Sequence, residues 1–259
     1  MLINFRMIIK MITNQPPVRV NKKSSTLTAV CLIFTCTLTT PTLAENTSVE
    51  LGKRSIIIKN KIDTYLTKIA KKNFSGAVLI EYKGDKILSK GYGHSDKQKS
   101  INYTENTISD IGSVTKQFTA AAILKLEMQG KLSTTDKLSK YFYDLPKDKA
   151  SITLHELLNM SSGLQMYSGG DYEPVTEKAF IKIIHNQKLH FKPGTSFEYS
   201  NPNFSILALL VERISGISYE SFLYKYLFKP SGMEQTGYSR PTFVNNNVAV
   251  QHKYGVATN

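Results

Sequence analysis

The hydrophobic pattern after residue 55 opens with a helix followed by a β-hairpin. Apolar residues recur at helical spacing over residues 56–71, at Ile58, Ile62, Leu66 and Ile69. Residues 74–82 and 86–92 then have the composition of two strands, and Lys83-Gly84-Asp85 between them has that of a turn. Residues 93–110 are polar and are predicted to be irregular.

The most apolar segment runs from Ser113 to Gln129 and predicts a long helix. Its side chains are apolar almost all round, which is typical of a helix that is buried on every face. Gly130 stands where a glycine in the left-handed conformation commonly ends a helix. A further segment is predicted over residues 132–143.

The second half of the chain predicts several shorter helices separated by turns. Thr153 and Glu156 have the spacing of a capping box at the start of a short helix. Pro202 is well placed in the first turn of a helix that continues to Arg213. The other predictions are a turn at 161–163, a loop at 167–174, a helix at 177–187, a turn at 193–194, a helix at 219–228 and a polar, loop-like tail from 237 to 259.

Residues 1–44 have the composition of a secretory signal peptide. Arg19, Lys22 and Lys23 precede an apolar stretch at 27–38, and cleavage is expected after Ala44. The apolar stretch is shorter than the roughly 20 residues that span a bilayer, although an uncleaved anchor is an alternative. We therefore expect an exported protein, periplasmic or secreted, with one domain over residues 45–259.

Composition and charge narrow the choice of partners. The chain has 259 residues, of which 41% are hydrophobic and 20% charged, as in globular proteins. Removing the five basic residues of the leader from the total of 33 leaves 28 against 20 acidic residues, a surplus of eight. Such a surplus suits peripheral contact with an anionic cell envelope, but simple solubility is the favoured explanation. Nucleic acid is excluded as a partner, because an exported protein is separated from it and the basic residues do not gather on one helix face. Both cysteines, Cys31 and Cys36, lie in the leader, so no disulfide is expected.

Ser113 and Lys116 form the first candidate site, at the start of the most apolar segment. The positive end of a helix dipole favours negative charge on a serine oxygen. Side chains three residues apart share a helix face, so the amine is aimed at the hydroxyl. An amine in apolar surroundings loses its proton more easily and can serve as the base for a serine nucleophile. The alternative is a capping Ser113 beside a solvated Lys116.

Tyr199 and Asn201 form the second candidate site. Among the 14 tyrosines this is the one followed two residues later by asparagine. Near a lysine ammonium the phenolate becomes accessible, so Tyr199 can take the Ser113 proton and return it to a leaving group. The alternative is a tyrosine packed on Pro202, with Asn201 capping the helix.

The sequence gives no support for other kinds of catalytic site. The five histidines lack zinc-ligand spacing, and no Gly-x-Ser-x-Gly or phosphate loop occurs.

The two motifs and their surroundings resemble the serine β-lactamase and penicillin-binding protein superfamily, in particular its class C β-lactamase, D-Ala-D-Ala carboxypeptidase and esterase branch. The resemblance extends in the family's order over nearly the whole chain after residue 44, at segments 74–78, 111–119, 130–133, 152–158, 161–164, 191–194, 199–201, 230–233 and 236–238. Together these segments are specific to this superfamily.

The resemblance implies an α+β fold of the β-lactamase/transpeptidase type, with a helical region and an antiparallel sheet flanked by helices. It implies acylation of Ser113, with Lys116 and Tyr199 as the proton-transfer pair and Asn201 touching the substrate amide. The implied substrates are β-lactams, D-Ala-terminated peptides of peptidoglycan and small esters. No metal and no cofactor is implied.

One family feature is missing after Asn201. Members carry a third motif, Lys- or His-(Thr/Ser)-Gly, on a later strand that donates a backbone N–H to the oxyanion hole. Residues 202–259 contain no such motif, so we expect the C-terminal sheet strands to be missing and the domain to be incomplete. Losing one oxyanion donor costs about 10²–10³ in rate. Two hypotheses follow: an exported serine hydrolase, or a catalytically impaired relative that acts as an envelope-binding module.

Overall fold

The structure, a computed structural model, describes residues 2–4, 43–82, 84–167, 176–237, 247–250, 252–253 and 256–257. The predicted signal peptide lies almost entirely outside these residues, as does most of the predicted 167–174 loop. The chain divides into two compact units. The hairpin unit comprises residues 4–108 and 246–259, and the helical unit comprises residues 109–245 with 1–3.

The hairpin unit is built from a long helix and short antiparallel strands. In chain order, the elements before residue 112 are β1 (Leu2–Asn4), α1 (Leu43–Ala70), β2 (Gly76–Tyr82), β3 (Asp85–Tyr92), β4 (His94–Asp96), β5 (Ile101–Asn102) and β6 (Ile108–Asp110), of which β1 and β6 lie mostly in the helical unit. The predicted hairpin is confirmed, because β2 and β3 pair antiparallel with Gly76 opposite Tyr92. Helix α1 begins at Leu43, well before the predicted start at residue 56.

The inner face of α1 packs on the hairpin through a small apolar cluster. Leu66, Leu88 and Tyr92 are buried there, with Ile62 and Val78 against them. Asp63, on the same helix, accepts hydrogen bonds from Lys90 Nζ at 2.7 Å and from Tyr92 Oη at 2.8 Å. The helical spacing seen in the sequence therefore matches the face that α1 buries.

The prediction of irregular structure over residues 93–110 was wrong. Strands β4 and β5 pair antiparallel, and Ile108 forms a bridge with Val248. Backbone hydrogen bonds hold this stretch: the Tyr103 N–H donates to the Gly93 carbonyl at 2.9 Å within it, and the Ile108 N–H donates to the Asn247 carbonyl at 2.8 Å. Because Asn247 lies far along the chain, the local polar pattern does not predict the bridge at Ile108.

The helical unit contains the confirmed helices of the second half. Its elements are a 3₁₀ turn (Gly112–Thr115), α2 (Lys116–Met128), a 3₁₀ turn (Leu138–Lys140), α3 (Lys147–Ala150), α4 (Leu154–Leu158), α5 (Glu177–Asn186), α6 (Asn201–Ser215), α7 (Tyr219–Leu223), a π-helical turn (Tyr224–Phe228) and a 3₁₀ turn (Lys229–Ser231). The last predicted helix is thus α-helical only as far as Leu223. The predicted 132–143 segment is reduced to one 3₁₀ turn. In the tail, which belongs to the hairpin unit, β7 (His252–Lys253) pairs with β8 (Val256–Ala257), so the prediction of a loop was wrong for these four residues.

Helices α2 and α6 pack against each other and form the core of the helical unit. Their buried apolar side chains are Phe118, Ala122, Ile123 and Leu126 from α2, and Ile206, Leu207, Leu210 and Val211 from α6. The prediction that α2 is buried all round was wrong, since Leu124 is 47% exposed and Met128 is 81% exposed. Packing against α6 buries one face of α2, and the apolar residues of the other face stay at the surface.

Local signals at the ends of helices were confirmed. The Thr153 hydroxyl accepts from the Glu156 N–H at 3.1 Å, and Glu156 Oε2 accepts from the Thr153 N–H at 2.7 Å, which completes the capping box. Gly130 follows α2 with φ +67°. Pro202 lies in the first turn of α6. Within the described ranges, no helix is both long enough and apolar enough to cross a membrane.

Candidate active site

Ser113 lies on the 3₁₀ turn that leads into α2. The turn begins after Asp110, whose Oδ1 accepts a hydrogen bond from the Gly112 N–H at 2.8 Å. The sequence predicted an α-helix from Ser113, but the α-helix begins at Lys116. In a 3₁₀ turn, residues three apart eclipse each other, so this correction places the Ser113 and Lys116 side chains more closely in line. Ser113 itself is exposed to solvent.

The Lys116 amine is directed toward the protein and bridges two site residues. Its Nζ donates to Ser113 Oγ at 3.1 Å and to Asn201 Oδ1 at 2.8 Å. It also lies 4.8 Å from the centre of the Tyr199 ring and 5.7 Å from that of Phe204. The alternative of a solvated first-turn lysine does not describe this side chain.

Tyr199 completes a polar triangle around the Ser113 oxygen. Its hydroxyl donates to Ser113 Oγ at 2.6 Å, so Ser113 Oγ accepts from both Tyr199 and Lys116. Burial raises the pKa of Tyr199, but hydrogen bonding to Lys116 and Ser113, together with the charge of Lys116, outweighs burial and leaves the pKa below its usual value. The phenolate is therefore easier to form here than in free tyrosine.

Asn201 is the first residue of α6, and Ser200 is the N-cap. Its Oδ1 accepts from Lys116 Nζ, and its backbone N–H donates to the Met166 carbonyl at 3.0 Å. The structure therefore brings together all four residues that the sequence singled out. The Lys116–Asn201 bond and the Phe204 ring were missed, because no local pattern connects residues 85 positions apart.

The segment that carries Tyr199 lies along residues 160–166. The Glu198 N–H donates to the Met160 carbonyl at 3.0 Å. Gly163, with φ +79°, lets the preceding Phe191 stretch approach the same segment, since a Cβ there would lie 2.3 Å from the Phe191 carbonyl oxygen. The turn at 161–163 was predicted, but its role in supporting the site was not.

Metal ligation is not indicated at this site. In the part of the chain that the structure describes, no group of three or more His, Cys, Asp or Glu side chains is placed to hold a metal ion. The reactive groups that the site does offer are a hydroxyl, an amine, a phenol and an amide. That set can move a proton and activate an oxygen nucleophile.

The sequence matches one family model and is similar to proteins from two bacteria. The Beta-lactamase family model matches residues 58–258. PbpX of Bacillus subtilis (strain 168), which is named as a penicillin-binding protein, is 35% identical over 178 residues, covering 69% of this chain and 44% of PbpX. Protein flp of Staphylococcus aureus (strain MW2) is 30% identical over 206 residues, covering 75% of this chain and 41% of flp. The chain thus spans less than half the length of these relatives.

Solved structures confirm the fold class. An octameric penicillin-binding protein homologue from Pyrococcus abyssi superposes with a TM-score of 0.66 at 30% identity, covering 74% of this chain and 47% of that one. A class C beta lactamase superposes with a TM-score of 0.66 at 25% identity, covering 74% of this chain and 55% of that one. The helices and small antiparallel sheets described above are therefore an α+β arrangement of this type.

Proposed function

Because the chain belongs to the beta-lactamase family, we propose that it is a serine hydrolase that acts through an acyl-enzyme on Ser113. The observation that carries the proposal is the position of Ser113 Oγ, which lies 2.6 Å from the Tyr199 hydroxyl and 3.1 Å from Lys116 Nζ. A serine hydroxyl needs an adjacent base to become a nucleophile, and the Tyr199 oxygen lies in hydrogen-bond contact with it, with the Lys116 amine beside both.

Acylation begins when Tyr199 is ionised. The phenolate accepts the Ser113 proton as Ser113 Oγ bonds to the substrate carbonyl carbon. Lys116 supplies positive charge beside the phenolate and the serine oxygen. The tetrahedral intermediate collapses, the amide C–N or ester C–O bond breaks, and the leaving group takes the proton back from Tyr199. Water then attacks the Ser113 ester, which releases the acid and restores the hydroxyl.

The start of the turn also favours the negative charge that develops on the carbonyl oxygen. Backbone N–H groups in the first turn of a helix lack acceptors within the helix and point toward its N-terminal side. Ser113 belongs to that first turn, and α2 continues its direction for 13 residues. The Ser113 N–H and the helix dipole are therefore suited to stabilise an oxyanion.

We propose β-lactams, D-Ala-terminated peptides and small esters as substrates, and export as the route by which the protein meets them. Penicillin-binding protein and beta lactamase are the names carried by similar proteins. Asn201 fits a carbonyl substrate, because Lys116 occupies its Oδ1 and its amide nitrogen can donate to a substrate oxygen.

The test is intact-protein mass spectrometry after incubation with a penicillin-type lactam or a fluorophosphonate. We expect a mass increase of one probe, located on Ser113 by peptide mapping and absent from Ser113→Ala. Circular dichroism establishes that both proteins are folded. An unlabelled, folded wild-type protein contradicts the proposal. Turnover of a lactam, a D-Ala-D-Ala peptide and a nitrophenyl ester then separates the three substrate classes.

A second candidate is a non-catalytic relative that binds the cell envelope. The observation in its favour is the surplus of eight basic residues after position 44, which suits contact with an anionic envelope. It predicts that Ser113→Ala retains binding to isolated cell envelopes and that the wild-type protein turns over none of the three substrates. Turnover that disappears in Ser113→Ala rejects it.

A further inference from the structure

Three polar side chains are buried close to the site without taking part in the proposed chemistry. Ser162 is 1% exposed, and Ser200 and Asn203 are fully buried. We refer to these three residues as the clamp. Burying a polar group is unfavourable unless its hydrogen bonds are satisfied, so their presence calls for a specific set of partners.

Ser162 and Asn203 form a continuous line of hydrogen bonds between two stretches of chain. The Leu164 N–H donates to Ser162 Oγ at 3.1 Å, and Ser162 Oγ donates to Asn203 Oδ1 at 2.7 Å. Asn203 Nδ2 donates to the Leu157 carbonyl at 3.1 Å, near the end of α4. Every bond runs in one direction, which is the arrangement in which neighbouring hydrogen bonds strengthen each other.

Ser200 departs from the usual behaviour of its position. A serine at the N-cap normally accepts a hydrogen bond from the first turn of its helix, which contributes about 1 kcal/mol. Ser200 makes no such cap. Its hydroxyl instead donates to the Gln165 carbonyl at 2.9 Å. The start of α6 therefore lacks a side-chain cap and is hydrogen-bonded to the 160–166 segment instead.

These bonds fasten the backbone on both sides of the reactive groups. Tyr199 directly precedes Ser200 and Asn201 directly follows it, and the Asn201 N–H donates to the Met166 carbonyl. Building on the function proposed above, we propose that Ser162, Ser200 and Asn203 are positioning residues that hold Tyr199 and Asn201 against Ser113 and Lys116. A displacement of about 1 Å in such a group can cost about 100-fold in rate.

The kinetic test compares acylation of wild type, Ser200→Ala and Ser162→Ala by a lactam or fluorophosphonate probe. We expect the rate constant at saturating probe to fall by about 10-fold to 100-fold, with the half-saturating concentration nearly unchanged. Ser200→Thr keeps the hydroxyl and should restore most of the rate. Ser215→Ala is the matched control, since Ser215 bonds to Ile217 at the far end of the same helix and should keep the wild-type rate.

A second readout does not depend on activity. In protein carrying ¹³Cζ-tyrosine, the resonance that is missing from Tyr199→Phe reports ionisation of Tyr199. In the clamp variants its titration should move to higher pH, because the phenol loses its contacts with Lys116 and Ser113; in Ser215→Ala it should not move. If the probe does not label the wild-type protein, the proposed hydrolase function is rejected. The Tyr199 titration tests the clamp in that case too, because it does not require acylation.

Two results overturn the clamp. One is a wild-type Tyr199 titration in both Ser200→Ala and Ser162→Ala. The other is a loss of rate in Ser215→Ala equal to theirs. Should Ser162→Ala fail to fold, Ser200→Ala leaves the Ser162–Asn203 bonds intact and carries the same readouts by itself, and a wild-type rate and Tyr199 titration in that variant would overturn the clamp.

Discussion

Replacing Tyr199 by phenylalanine removes one oxygen atom from the centre of the site. The change deletes the hydrogen bond of 2.6 Å to Ser113 Oγ and leaves the aromatic ring in place. Lys116 Nζ lies 4.8 Å from the centre of that ring, and a phenylalanine ring preserves this cation–π contact. The substitution therefore tests the phenol oxygen and little else.

The expected effect on acylation is large and the effect on stability is small. A positioned general base contributes about 10²–10⁴ in rate, so the barrier should rise by about 3–5 kcal/mol. One partly exposed hydrogen bond contributes about 1 kcal/mol to folding, so the free energy of unfolding should fall by no more than that. This contrast distinguishes loss of the base from loss of the fold.

The assay is single-turnover acylation by a fluorescent penicillin, measured from neutral to alkaline pH. In the wild type the rate should rise with pH as Tyr199 ionises, with a midpoint below the usual value of 10 because the pKa of Tyr199 is lowered. Tyr199→Phe should lack this rise. Tyr65→Phe, on an exposed tyrosine of α1, is the control. A Tyr199→Phe variant that acylates within about threefold of the wild type would refute the assignment of Tyr199 as the base.

Three further predictions concern stability, measured by urea unfolding. Gly163→Ala should cost more than about 2 kcal/mol, since its Cβ would lie 2.3 Å from the Phe191 carbonyl oxygen; an unchanged midpoint would contradict that close approach. Leu126→Ala should cost about 2–5 kcal/mol because Leu126 is fully buried, whereas Leu124→Ala on the exposed face should cost under about 1 kcal/mol; equal losses would contradict the assignment of faces on α2. Burial raises the pKa of Asp136, but Lys140, Tyr141 and the Ser133 N–H lower it to about 2 from the usual 3.8. The ionised carboxylate therefore stabilises the folded state by on the order of 2 kcal/mol above about pH 5, and this stabilisation is lost as the pH falls toward 2. The free energy of unfolding of the wild type should exceed that of Asp136→Asn by less and less over that range. A difference that stays constant with pH would contradict the prediction.

The features that the sequence predicted correctly are those set by near neighbours. Ser113 and Lys116 are three residues apart, so the geometry of one turn is enough to bring them together. The capping box of Thr153 and Glu156 is local in the same sense, and so is the glycine after α2. The hairpin of β2 and β3 could be predicted because two apolar runs are separated only by a short turn.

The features that it did not predict depend on contacts across the chain. Ile108 joins a strand because its partners include Asn247 and Val248, which no local window contains. Leu124 and Leu126 are equally apolar in sequence, and the packing of α6 and the elements after it decides which one is buried. Ser200 has the right residue type for an N-cap, yet the Gln165 carbonyl takes its hydroxyl. Tertiary partners overrode local preference in each case.

The separation of the site residues along the chain would make the proposed labelling of Ser113 a measure of folding. Ser113 and Tyr199 are 86 residues apart and belong to segments that meet only when α6 has docked on α2. Chains with formed but undocked helices would show helical circular dichroism and would not react with the probe. With the acylation of Ser113 proposed above, the yield of labelled protein during refolding would count molecules in which α6 has docked on α2, and its delay behind helix formation would give the time that docking takes.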